Sequence, residues 1–114
     1  MPFRMYNSAL ELEEGPFPLT GWKPPSRAVI YGIMMKREDG EYRIIYVGQS
    51  ENLSERGFEN KRAYALWLAE AGDTSNLYIA FHSMPCSVEE QRIMITHELI
   101  RLREPACNLE TAYP

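Results

Sequence analysis

Residues 28–56 read AVIYGIMMKREDGEYRIIYVGQSENLSER, and this stretch predicts two strands joined by a tight turn. Ala28 to Lys36 is apolar and rich in residues that favour strands, and Tyr42 to Val47 forms the return strand. Between them, Asp39-Gly40 indicates a hairpin, because glycine accepts the positive φ that such turns need. We therefore expect the fold to be organised around this antiparallel pair.

A polar segment follows the hairpin. We expect Gly48 to end the return strand and residues 49–52 to form a polar crossing. Asn52 suits the N-cap of a helix predicted over Leu53 to Phe58, since its side-chain oxygen can accept a hydrogen bond from the first turn.

Alternation along the return strand assigns its side chains to two faces. One face is expected to carry Tyr42, Ile44 and Tyr46, and the other Arg43, Ile45 and Val47. Tyr31 and Tyr46 lie toward the loop ends of adjacent strands, so their phenols are expected to meet near one concave surface. The alternative is that both are packed core tyrosines.

The second half of the chain predicts a helix, a strand and a longer helix. Residues 61–71 carry Ala, Leu and Trp at helical spacing, and Gly72 is a natural stop. Leu77 to Ser83 is predicted as a third strand. Its side chains are expected to alternate between two faces.

A long final helix is predicted to follow. Ser87 as N-cap, with Glu90 reaching back, fits a capping box. The helix is expected to run to about Arg103 and to end before Pro105, since the residue before a proline disfavours helix.

The length of 114 residues predicts one domain, with residues 27–114 as its body and residues 1–26 as an extended, proline-containing arm. Phe17 and Trp22 make the arm too apolar for a free tail. We expect it to pack on the domain. The alternative is that these aromatic side chains stack on a base or contact a protein partner, including a second copy of the chain.

The formal net charge of −4 argues against a protein that binds nucleic acid by bulk charge. Local basic patches remain as candidates, and these are Lys36-Arg37, Arg56 to Arg62, Arg101 and Arg103. The alternative is that these residues form ordinary solvated faces.

Cysteine content and hydropathy predict a cytoplasmic protein. Cys86 and Cys107 are far apart, so a zinc site is not expected and both thiols are expected to be reduced. No apolar run reaches the ~18 residues of a membrane span, so no membrane association is expected.

The motifs around the two tyrosines resemble those of the GIY-YIG endonuclease superfamily. Ile30-Tyr31 matches the first motif, with Val29 where the family has glycine, and Tyr46-Val47-Gly48 is a close variant of the second. The most specific run, YVGQSENLSER, ends at Arg56. The family's closing pattern is matched by Leu99-Ile100, Pro105 and Asn108.

This resemblance implies a small α+β domain with a central three-stranded antiparallel sheet flanked by helices. It also implies cleavage of nucleic acid, which we expect to be DNA, with Mg²⁺ or Mn²⁺. Tyr31, or a water beside it, would be the general base, Tyr46 and Arg56 would orient and neutralise the phosphate, and Asn108 would brace the site. Nucleic-acid contacts are expected at Gln49, Ser50, Asn52 and Lys61.

The metal-binding glutamate of the family is missing from this chain. Its position, three residues before Leu99, is Thr96. The nearest candidate carboxylates are Glu98, about 200° around the helix from Thr96, and Glu89, about 10 Å away along its axis. Arg92, one turn before Thr96, would place a cation near the metal.

Two functions are therefore open. The first is a metal-dependent nuclease whose acidic ligand comes from Glu98 or Glu89. The second is a catalytically degenerate domain that binds nucleic acid or a protein without cutting. The lost glutamate and the acidic composition favour the second, whereas the retained tyrosines, arginine and asparagine favour the first. A carboxylate between Tyr31 and Arg56 would discriminate between them.

Overall fold

The computed structural model of the chain describes residues 12, 14–21, 23–55 and 63–108. Its strands are β1 (Glu14–Pro18), β2 (Val29–Lys36), β3 (Tyr42–Ser50) and β4 (Leu77–Ser83). Its helices are α1 (Tyr64–Ala71) and α2 (Glu89–Arg103), with short 3-10 turns at Leu53–Glu55 and Thr74–Asn76. The predicted α+β class is confirmed.

The sheet has four strands in the order β1-β4-β2-β3, and each neighbouring pair is antiparallel. The prediction of three strands is therefore wrong, because the N-terminal arm adds β1 beside β4. Pro16 and Pro18 are compatible with this position, since an edge strand has one side on which a missing N–H breaks no ladder bond. Phe17 of β1 is half-buried, and its ring centroid lies 6.2 Å from that of Phe81.

The return strand is longer than predicted. Gly48 does not end β3, because Gly48 pairs with Tyr31, and the two residues after it pair with Ile30 and Val29. The reason is a close approach between side chain and backbone. A Cβ added to Gly48 would lie 2.7 Å from both Cζ and the hydroxyl oxygen of Tyr31. Glycine therefore lets the Tyr31 ring lie across β3 while the ladder continues.

A β-bulge changes the faces assigned to β3. Ile33 pairs with Tyr46 but Met34 pairs with Ile44, so Ile45 is an extra residue in β3. Both Ile45 and Tyr46 therefore pack in the same cluster of side chains. The prediction that Ile45 and Tyr46 point to opposite faces is wrong, because strict alternation fails at a bulge.

Two clusters of buried side chains cover the two faces of the sheet. The first cluster joins β2 to α1, and its buried members include Val29, Tyr31, Ile33, Trp67 and Ala71. The second cluster joins β2 and β3 to α2, and its buried members are Ile30, Val47, Leu99 and Ile100. Because successive residues of a strand point to opposite faces, α1 and α2 lie on opposite sides of the sheet.

The ends of the helices follow local signals with one exception. Gly72 ends α1 with a φ of 86°, as predicted. The predicted N-cap of α2 is wrong, since α2 starts after Val88, whose N–H donates to Oε1 of Gln91 at 2.9 Å. Ser87 does not cap α2, because its hydroxyl donates to the Met84 carbonyl at 2.6 Å instead. None of the helices in the described part of the chain is long and apolar enough to span a membrane.

Candidate functional site

Tyr31 and Tyr46 lie on adjacent strands, with ring centroids 6.3 Å apart. The predicted contact between the two rings is confirmed, but the concave surface predicted beside them is not. Tyr31 is fully buried in the first cluster, and the half-buried Tyr46 has its ring centroid 5.1 Å from that of Trp67. The pair is therefore part of the packing beneath α1, as the core alternative describes.

Asn108 is buried and fixed to the free edge of β3. Its Oδ1 accepts a hydrogen bond from the Val47 N–H at 2.7 Å, and its Nδ2 donates to the Val47 carbonyl at 3.0 Å. The neighbouring Cys107 N–H donates to the Ile45 carbonyl at 2.8 Å. The side-chain amide thus holds β3 next to Tyr46, a role consistent with the bracing that the resemblance implies.

The polar residues expected to contact nucleic acid shape the end of β3. Gln49 is half-buried, and its Oε1 accepts a hydrogen bond from Arg92. The buried Ser50 accepts a hydrogen bond from the Asn52 N–H at 3.2 Å. Asn52 in turn accepts from the Ser54 N–H at 3.1 Å, as its predicted capping role requires. These contacts order the loop, so only part of its polar surface remains free.

Arg92 connects this loop to the start of α2. Its Nε donates to Oε1 of Gln49 at 2.8 Å. Its Nη1 donates to the carbonyl and to the hydroxyl oxygen of Ser87, at 2.9 and 2.8 Å. The residue is only 3% exposed. The sequence predicted a cation at this place. It did not predict the hydrogen bonds to Ser87, which was predicted to be the N-cap of α2.

Thr96 lies on the same buried stripe of α2 as Arg92, one helical turn later. Leu99 and Ile100 of this stripe pack in the second cluster, whereas Tyr31 packs in the first. The structure therefore places Thr96 and the tyrosine pair on opposite faces of the sheet. Oγ1 of Thr96 is buried and has no hydrogen-bond partner within the described ranges.

The residues near Thr96 do not fit a divalent metal ion, which needs at least one anionic oxygen ligand. Glu98 pairs with Arg101, and Glu89 is exposed in the first turn of α2. Over the residues that the structure describes, no group of three or more His, Cys, Asp or Glu side chains could hold a metal. The charged residue one turn before Thr96 is instead a cation, Arg92, whose guanidinium is held by Gln49 and Ser87.

Two of the predicted basic residues, Arg37 and Arg103, come together with Arg43 at the other end of the sheet. Arg37, Arg43 and Arg103 line a pocket of about 380 Å³ together with one carboxylate, Glu41. Three segments of the chain contribute to it, so no single run of the sequence indicates it. Three other residues that were predicted to contact a ligand lie outside the described residues, and these are Arg56, Lys61 and Trp22.

Comparison of the chain with protein-family models, curated protein sequences and solved structures finds no match.

Proposed function

We propose that this chain is a nucleic-acid-binding domain that resembles the GIY-YIG endonucleases and does not hydrolyse the phosphodiester. The motif run in residues 46–56 and the ordered polar loop after β3 support binding. The observation that carries the proposal is Arg92, a buried cation on the same stripe of α2 as Thr96, whose guanidinium is held by Gln49 and Ser87. Thr96 is the position at which the family pattern has its metal-binding glutamate.

The position of Thr96 does not favour a divalent metal ion. A threonine hydroxyl supplies no negative charge, whereas a hard dication needs at least one anionic oxygen ligand. Arg92, on the same buried stripe of α2, adds a positive charge to this face of the sheet and no negative one. Without a metal, activation of water at neutral pH loses its usual source.

A guanidinium can still recognise a phosphodiester. Its planar N–H groups form charge-assisted hydrogen bonds with phosphate oxygens, which favour binding without providing a nucleophile. The net charge of −4 means that such recognition has to be local. Arg92 therefore supports binding and argues against cleavage at the same time.

The test is a paired binding and cleavage assay. Wild type is incubated with supercoiled plasmid, branched DNA and structured RNA in Mg²⁺ or Mn²⁺, and binding to labelled strands is measured by fluorescence anisotropy. Tyr31→Phe is the matched control, since it removes only the hydroxyl of the residue that would act as general base. We expect saturable binding and no cleavage by either protein.

Two results would overturn the proposal. Cleavage by wild type that is lost in Tyr31→Phe would establish the metal-dependent nuclease and require a ligand from Glu98, Glu89 or the residues outside the described ranges. Absence of binding to all strands would leave the protein-partner alternative, in which the N-terminal arm forms the contact.

A further inference from the structure

The charge of Arg92 is buried without a carboxylate partner in the described part of the chain. Its three acceptors among the described residues are neutral, one amide oxygen from Gln49 and two oxygens from Ser87. Glu89 and Glu90 occupy the same turn, but both are exposed and neither is within ion-pair distance of Arg92. A buried ion without a counter-ion is costly, so this arrangement needs a reason.

One nitrogen of the guanidinium, Nη2, donates to no acceptor among the described residues. The other two, Nε and Nη1, both donate hydrogen bonds. Four described side-chain atoms are buried from solvent without a hydrogen-bond partner in the structure, and Nη2 is not one of them. It therefore remains in contact with solvent while the rest of the group is held in place.

Such a group is a preorganised donor for an oxyanion. Two engaged nitrogens fix the plane of the guanidinium, so binding costs little further side-chain entropy. An incoming anion would supply the missing negative charge.

We propose that Nη2 of Arg92 binds a phosphate oxygen of the nucleic acid, with Gln49 and Ser87 orienting the guanidinium. This inference rests on the proposed function and names the group that the site recognises. The guanidinium would supply the positive charge that recognises the phosphate.

Gln49→Glu is the most direct test, because it supplies the missing counter-ion without removing Arg92. The carboxylate would accept from Nε of Arg92 as the amide does now, so the fold is expected to be retained. Met94→Glu is the control, since it adds the same charge to α2 at a residue that is 62% exposed and about 200° around the helix from Arg92. Arg92→Gln is a second variant, which removes the donor itself.

Two readouts are taken on each protein. The first is the melting temperature as inorganic phosphate replaces chloride at constant ionic strength. The second is anisotropy of a labelled single strand across a salt series. For wild type and Met94→Glu we expect a saturable rise in melting temperature. For Gln49→Glu and Arg92→Gln we expect no rise, at least about tenfold weaker strand binding, and a salt slope reduced by about one.

The outcomes separate the two proposals. Equal phosphate responses and equal strand binding in Gln49→Glu and Met94→Glu would overturn the Arg92 site while leaving nucleic-acid binding intact. A phosphate response in wild type without any strand binding would support the oxyanion site and overturn the proposed function. A loss of strand binding in all three variants alike would also count against a specific site, since Met94 lies on another side of α2.

Discussion

Gly48 stands where the aromatic ring of Tyr31 crosses β3. A side chain here would overlap the ring, since an added Cβ would lie 2.7 Å from Tyr31 Cζ. We expect Gly48→Ala to lower the free energy of unfolding by roughly 1–3 kcal/mol, as overpacked cores do. Urea unfolding measures this change.

The cause of that loss can be isolated with a double-mutant cycle. In a Tyr31→Ala background the added methyl group has room, so Gly48→Ala should cost much less there than in wild type. Equal costs in both backgrounds would mean that contact with the Tyr31 ring is not the reason for glycine at this position.

Asn108 uses both atoms of its side-chain amide on Val47, one as acceptor and one as donor. Asn108→Asp removes the donor and sets a buried carboxylate against the Val47 carbonyl. We expect a loss of roughly 3 kcal/mol in unfolding free energy near neutral pH. Burial would raise the pKa of the introduced carboxyl group, and its protonated form can donate again, so the deficit relative to wild type should shrink as the pH falls toward about 4.

Asn52→Asp is the control for this effect. The side-chain oxygen of Asn52 accepts from the N–H and the hydroxyl of Ser54, and a carboxylate can do the same. Its unfolding curve should be close to that of wild type. If Asn108→Asp unfolded like Asn52→Asp at neutral pH, the bridge to β3 would contribute little.

Strand bounds show which features of the fold are local. The bounds of β4, Leu77–Ser83, agree with the prediction because the alternating residues and the flanking polar turns mark them directly. The extension of β3 past Gly48 and the bulge at Ile45 depend on how β3 pairs with β2. β1 was not predicted as a strand for a related reason. Its two prolines are tolerated only at the edge of a sheet, and the sequence does not show where that edge lies.

β1 and β2 should differ in their local stability. β1 is short, mostly exposed and paired only with β4, with a shift in register between Glu14 and Phe17. β2 is mostly buried and has a partner on each side. By hydrogen-exchange mass spectrometry, we expect β1 amides to exchange at least ~100-fold faster than those of β2. Equal protection would show that the N-terminal arm is an integral part of the stable sheet.

The candidate site is less predictable than the fold because distant segments build it. The hydrogen bonds of Arg92 join residue 49 at the end of β3 to residue 87 before α2, and no local pattern links them. The positions of Tyr31 and Tyr46 on adjacent strands predicted that their rings meet, and the rings do so. The motif resemblance could not indicate that Thr96 would lie on the opposite face of the sheet, since that depends on where α2 packs.

The two cysteines report on the integrity of the whole domain. Cys86 is exposed, whereas Cys107 is buried, and burial, with a smaller effect of the charge on Glu70, raises the pKa of its thiol to about 11. Since the thiolate is the reactive form, we expect an aromatic disulfide reagent to modify one thiol rapidly in the native protein and two after denaturation. Rapid modification of both thiols would contradict the burial of Cys107.

The same pKa shift has a consequence for stability at alkaline pH. The unfolded chain ionises near the ordinary value of 9.0, whereas the folded protein retains the neutral thiol of Cys107 up to about 11. The neutral thiol of Cys107 therefore makes its full contribution to the free energy of unfolding below pH 9. This contribution is lost as the pH rises through this window. Cys107→Ala should show a smaller loss of stability there.

The most direct test of the central claim uses one sample for binding and for cleavage. A labelled single strand is titrated with wild-type protein in Mg²⁺ while its anisotropy is recorded, and the same sample is then run on a denaturing gel. We predict saturable binding that weakens with added salt, and a strand that remains intact. Shortened strands would show a nuclease, and a flat titration would show that nucleic acid is not the ligand.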